Sequence, residues 1–174
     1  MPAASSVEAT LDAALAEALF GQPEFAKWLL GRTRFGGEVA ECVFCRSDNP
    51  WSTVRLERPN PVSGELEILS KHCETDVLAV FQTKDGRRLA LHIENKLAHG
   101  SFTDSQPDLY RERLQQWKNR PKLGQYSDAT SLLVAPEAFF ARYQAEAQMF
   151  EAYVSHEELG QHLPLFKHRG SSGA

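Results

Sequence analysis

The sequence predicts an α/β fold in which a central mixed β-sheet is flanked by helices, and three observations carry that reading. The elements follow the order helix, three strands, helix, strand, helices. The strand-like segments near residues 76–96 and 130–135 are apolar on both faces, as strands covered on two sides must be. A chain of 174 residues with 42% hydrophobic and 24% charged residues is globular in composition and has room for one core rather than two domains. Residues 1–174 are therefore read as one domain, with a core over about 65–135, N-terminal helices over 7–31 and C-terminal helices over 136–163.

From Val7 to Phe20 the apolar residues Leu11, Ala14, Leu15, Ala18 and Leu19 recur at helical spacing, with Ser5 or Ser6 placed to cap the helix. Pro23 suits the first turn of a second helix running to Leu30, where Gly31 and Gly36-Gly37 break the pattern. Repeated turn signals between Glu38 and Gly64 predict strand fragments and loop. A meander of three strands is expected next, at Glu65–Leu69, Asp76–Gln82 and Arg88–Lys96, the last two joined through Lys84-Asp85-Gly86-Arg87. Asp104–Lys118 reads as a helix with Leu109, Leu114 and Trp117 on one side. Thr130–Ala135 reads as a buried strand, and Pro136 opens a helix continuing to about Tyr153. Ser155 caps a last helix to Leu163, and the tail from Arg169 is expected to fray.

The start Met1-Pro2-Ala3-Ala4-Ser5-Ser6 has no basic segment before an apolar stretch, and no run is long enough to span a bilayer. Cys42, Cys45 and Cys73 form an odd set without the spacing of a disulfide framework. Both features predict a cytoplasmic protein with reduced thiols and no membrane partner. The net charge of −4 argues against a grip on nucleic acid by the whole surface. A local strip remains: Arg111, Arg113, Lys118, Arg120 and Lys122 outnumber Asp108 and Glu112 between Pro107 and Lys122.

The tripeptide Glu94-Asn95-Lys96 is the only acid-x-lysine in the chain. About one such match is expected by chance, so its setting must give it meaning. A strand's period of two puts Glu94 and Lys96 on one face. If Lys84-Asp85-Gly86 is a three-residue loop with Gly86 left-handed, Thr83 pairs with Arg87 and Asp76 falls opposite Glu94. A two-residue Asp-Gly turn would shift the register by one and separate them. Two carboxylates about 4 Å apart repel by roughly 4 kcal/mol at an effective dielectric of about 20. A hard divalent cation resolves that conflict, and the Asn95 carbonyl is a further candidate ligand. Lys96 beside the cation would orient the nucleophile and offset charge developing on a phosphate.

These residues resemble the PD-(D/E)XK nuclease superfamily. The match runs through Thr75-Asp76-Val77-Leu78-Ala79-Val80, then Leu91-His92-Ile93-Glu94-Asn95-Lys96, then Gln106-Pro107-Asp108-Leu109-Tyr110, and covers roughly Glu65 to Ala135. The resemblance implies an αβββαβ restriction endonuclease-like core. It implies Mg²⁺ or Mn²⁺ on Asp76 and Glu94, assistance from Lys96, and Gln106 and Tyr110 lining the site from one helix face. An acid from the first helix often joins such sites; Glu8 is the best placed candidate and Glu17 the next. The implied activity is hydrolysis of phosphodiester bonds, in DNA by analogy, with a homodimer or a partner subunit left open. The alternative is a non-catalytic nucleic-acid- or protein-binding module that retains the fold, in a defence or repair complex.

Cys42-x-x-Cys45 with His72-Cys73 also invites a zinc site, against which stands the missing spacer in the second pair. Buried reduced cysteines are the competing reading. His92 shares the face of Glu94, either as a partner that orients it or as a satisfied core histidine. The basic strip is read as a phosphate contact with Trp117 or Tyr126 available to stack, or else as a solvated helix face.

Overall fold

Two helices open the chain, α1 (Pro2–Gly21) and α2 (Pro23–Gly31), in a computed structural model that describes residues 2–103 and 106–167, with the backbone alone for residues 2–6. Leu11, Leu15, Ala18 and Leu19 of α1 are buried, as their spacing requires. Because α1 starts at Pro2, Ser5 and Ser6 lie inside it and neither is its N-cap.

The stretch expected to hold only fragments contains two full strands, β1 (Ala40–Arg46) and β2 (Trp51–Pro59). β2 pairs with β3 (Leu66–Glu74) from Trp51↔Glu74 to Pro59↔Leu66, forming a separate two-stranded sheet. The expected meander is therefore corrected, since β3 does not lie beside β4 (Val77–Thr83). Its exposed Ser70, Lys71 and His72 could not be buried on both faces of a central strand. β1 takes that place and pairs antiparallel with β4, with a register shift between Cys42 and Phe44.

β4 and β5 (Arg88–Asn95) form a hairpin whose register runs from Gln82↔Arg88 to Val77↔Ile93. The loop is the three-residue Lys84–Gly86 turn: Thr83 N–H donates to Arg87 O at 2.9 Å, and Gly86 has φ +84. β6 (Asp128–Ala135) lies parallel to β5, and β7 (Ala152–Ser155) parallel to β6. Among the described residues this gives a five-stranded mixed sheet in the order β1-β4-β5-β6-β7.

Between β5 and β6 runs α3 (Gln106–Gln116); the expected start at Asp104 falls outside the described residues, as does the tail from Arg169. The long helix expected from Pro136 is broken into α4 (Glu137–Arg142) and α5 (Gln144–Ala147), because Tyr143 leaves helical geometry at φ −120, ψ 47. The short β7 that follows has no period long enough to separate it from a helical pattern. Ser155 does cap α6 (His156–Leu159), in a reciprocal box with Glu158.

The sheet is covered on both faces. Val77, Ala79, Phe81, Leu89, Leu91 and Ile93 pack with α1 and α2, while Leu78, Val80 and Ala90 pack with α3 and the β2–β3 hairpin. No helix among the described residues is long and apolar enough to cross a membrane.

Since Gly86 holds the turn that sets the β4–β5 register, Gly86→Ala should cost about 1 kcal/mol in urea unfolding, with Gly86→Asn costing less. Equal stability of the alanine variant and the parent would contradict a left-handed Gly86.

Candidate active site

The site forms where β4 begins and β5 ends. Thr75 is buried just before β4; its hydroxyl donates to Ile93 O at 2.9 Å and its N–H to Pro50 O at 3.1 Å. This ties the turn to β5 and delivers Asp76, whose Oδ2 accepts the Asn95 N–H at 2.7 Å. The register places Asp76 across from Glu94, one step beyond Val77↔Ile93.

Glu94 is only 2% exposed. A carboxylate so deeply buried needs partners, and it has three. Lys96 Nζ lies 2.7 Å from Oε1. Gln106 Nε2 also donates to Oε1, while the Tyr110 hydroxyl donates to Oε2. Gln106 and Tyr110 reach one carboxylate because four residues make about one helical turn. Just past the end of β5, Lys96 still donates its N–H to Val134 O at 2.8 Å, and its side chain returns to the face of Glu94. The loop beyond is held by Arg142, which donates to Ala98 O and Gly100 O at 2.7 and 2.8 Å, and by Phe102 packed on Phe139 and Phe150.

The Asn95 side chain projects to the opposite face and is fully buried. Its Nδ2 donates to Asp12 Oδ1 at 2.8 Å, and its Oδ1 lies 2.9 Å from His156 Nε2. Asp12 and His156 were not singled out from sequence. The signal for Asp12 was present: it follows Glu8 by four residues and interrupts the buried stripe of Leu11 and Leu15. By pinning α1 to β5, Asp12 also sets Glu8, one turn earlier, within the electrostatic field of Glu94 and Lys96. Glu17, the second helix candidate, is exposed.

The titration behaviour follows from this crowding. Burial, then Glu94 and Asp12, push the Asp76 carboxyl well above the usual range. Burial pushes Asp12 up to about 7 against the hydrogen bond from Asn95, and burial also raises Glu8. Burial works against the Lys96 ammonium, but Glu94, Asp76 and Glu8 together hold its pKa above the ordinary value. Glu8, Asp12, Asp76 and Glu94 all interact with Lys96, and the buried Arg113 also feels Glu94 and Asp76.

Arg113 corrects the reading of the basic strip. It is fully buried, as is Trp117, and Tyr126 is nearly so; none of the three can meet a nucleic acid. Arg113 Nε donates to His92 Nδ1 at 3.1 Å and its Nη1 to Glu74 O, and His92 Nε2 lies 3.0 Å from the Tyr126 hydroxyl. His92 is a satisfied core residue, held well below its usual pKa by burial and by Arg113.

The zinc grouping is divided by the sheet. Cys42 and Cys45 pack on the α1 side, Cys73 lies with α3 beside Arg113, and His72 stacks on Trp51 at the surface. Among the described residues no three His, Cys, Asp or Glu side chains already converge as a metal-ligand cluster. The chemistry of the donors nonetheless fits a hard divalent cation: carboxylates from Asp76, Glu94 and Glu8 share one field and exceed the cations beside them.

No family model, curated protein or solved structure matches this chain.

Asp12 offers a test of that geometry. A carboxyl whose pKa is raised by folding destabilises the native state once the unfolded chain ionises, so the penalty is absent below about pH 4 and complete above about pH 7. In EDTA, parent stability should fall over that window by on the order of 4 kcal/mol. Asp12→Asn, which keeps an acceptor for Asn95, should flatten the fall in urea titrations at several pH values. An unchanged profile would mean that Asp12 is not held protonated.

Proposed function

We propose that this protein is a Mg²⁺- or Mn²⁺-dependent nuclease that hydrolyses phosphodiester bonds, in DNA by analogy with the family its motifs resemble. The observation that carries the proposal is the convergence of Asp76, Glu94 and Lys96 at adjoining strand ends, with Gln106 and Tyr110 both reaching Glu94. The element order lends support to a restriction endonuclease-like core. With α2 taken together with α1 and the β2–β3 hairpin regarded as an insertion, α1, β1, β4, β5, α3 and β6 follow the αβββαβ sequence.

In this reading Asp76, Glu94 and the Asn95 carbonyl would hold the cation, and Glu8 would add a carboxylate from α1. When bound, the metal supplies Lewis-acid polarisation of the phosphate and acidifies water. The chain's own residues do the remaining work. Gln106 and Tyr110 fix the Glu94 carboxylate, so little reorganisation is needed during reaction. Lys96, already ammonium because its carboxylate neighbours outweigh its burial, places a positive charge beside the scissile phosphate. The Lys96 ammonium has three N–H donors, and beyond the one held by Glu94 the others can be directed to the nucleophile and the phosphoryl oxygen.

Plasmid, linear duplex and single-stranded DNA incubated with Mg²⁺ or Mn²⁺ test this directly. Cleavage is expected with either metal and is abolished by EDTA, and Lys96→Ala and Glu94→Gln should each lower the rate by about a hundredfold or more. Cleavage that persists in EDTA, or that both substitutions leave unchanged, would overturn the assignment.

A further inference from the structure

We propose that the groove between the β2–β3 hairpin and the segment after α3 binds a single-stranded nucleic acid, stacking one base on Trp51 and placing its phosphates on Arg120, Lys122 and Arg46. The inference deepens the nuclease reading and rests on it for the link to chemistry.

The groove encloses about 720 Å³ and has no acidic side chain in its lining. In a chain whose net charge is −4, a lining with three cations and no anion is a local reversal of sign, suited to a polyanion. Arg46 is ion-paired at 2.7 Å with the exposed Asp48, which lies outside the lining, whereas Arg120 and Lys122 have no ion-pair partner among the described residues. Trp51 is 60% exposed on this wall. Such exposure is unusual for the largest apolar side chain, and an indole face is a platform on which any unpaired base can stack. His72 across the strand pair lies against Trp51, with ring centroids 4.7 Å apart, and steadies its plane.

The walls are built rather than incidental. Arg55 N–H donates to Gln116 Oε1 and Gln116 Nε2 to Arg55 O, both at 2.8 Å, which fastens the hairpin along α3. Arg120 donates to Ser52 Oγ, and Arg46 Nη1 donates to Lys122 O at 3.2 Å. Gly124, at φ +81, lets the basic segment press on the sheet edge, where a Cβ would meet Val80 and Phe44 at 2.6 and 2.9 Å. The groove also adjoins the carboxylates. Arg46 pairs with Leu78, two residues along from Asp76, and Pro50, next to Trp51, accepts the Thr75 N–H beside Asp76. A strand leaving the groove thus has a short path to Asp76 and Glu94.

A duplex would keep its bases stacked internally and could not use Trp51, which is why a single strand is the favoured occupant. DNA and RNA share the recognised chemistry, so both serve as probes. Binding of fluorescein-labelled 20-nucleotide oligothymidylate, oligouridylate and a mixed-sequence duplex is measured in EDTA for the full chain. Single strands are expected to bind more tightly than duplex, and Trp51→Ala to weaken them about tenfold or more, with Trp51→Phe recovering most of the loss. Arg120→Ala combined with Lys122→Ala should lower the salt slope for oligothymidylate by about 1.4, corresponding to two phosphates. Parent affinity and salt slope in these variants, or a duplex preference insensitive to Trp51, would overturn the groove. The two proposals fail separately: single strands bound through Trp51 while none of the three DNA forms is cut in Mg²⁺ or Mn²⁺ would remove the nuclease and keep the groove, and metal-dependent cleavage together with parent binding in the groove variants would remove the groove and keep the nuclease.

Discussion

Burying the Glu94 carboxylate at the end of the central sheet is the constraint around which this structure is arranged. An ionised carboxylate without partners would cost several kcal/mol there, so two elements contribute three groups to it. Lys96 comes from the continuation of β5, and Gln106 and Tyr110 come from α3. Asp76, delivered by the turn tacked down through Thr75, brings a second carboxyl to the same place, and burial together with Glu94 holds its pKa well above the usual range. The resulting excess of carboxyl groups over cations is what an ordinary structural ion pair lacks, and the proposed divalent-ion site rests on it.

The opposite face of β5 holds the cluster from behind. Asn95 lies between Glu94 and Lys96 in sequence but points the other way, where Asp12 and His156 take its amide. Helix α1 is thereby coupled to the strand that carries Glu94, and α6 to both. Substitution of Asn95 would therefore act through the position of α1, including Glu8, as well as through packing. The buried Arg113 performs a related task on the α3 side, joining His92 of β5 to the carbonyl of Glu74 at the end of β3. The hairpin, the helix and the sheet are in this way tied together close to the carboxylates.

The local parts of this site were legible in the sequence because they depend on short-range periods. The two-residue alternation puts Glu94 and Lys96 together, the four-residue step joins Gln106 to Tyr110, and a glycine placed for a left-handed turn sets the register that brings Asp76 across from Glu94. What escaped depends on partners distant in the chain. β1 displaces β3 from the sheet because of which segment tolerates burial on two faces, a comparison that no window of either strand contains. Arg113 looks like one charge in an exposed strip until the β2–β3 hairpin covers it, and the same hairpin creates the groove beside Trp51. β7 is four residues long and leaves no period to read. Asp12 was detectable as an acid in an apolar stripe, but its significance lies in Asn95, 83 residues away.

The most direct measurement is a Mn²⁺ titration of metal-free protein near neutral pH, followed by electron paramagnetic resonance of the unbound ion. One saturable Mn²⁺ per chain is expected, displaced by excess Mg²⁺ and weakened at least about tenfold by Asp76→Asn, since one of its carboxylate ligands is then lost. No saturable binding, or binding that Asp76→Asn leaves unchanged, would mean that the buried carboxylates are not a metal site.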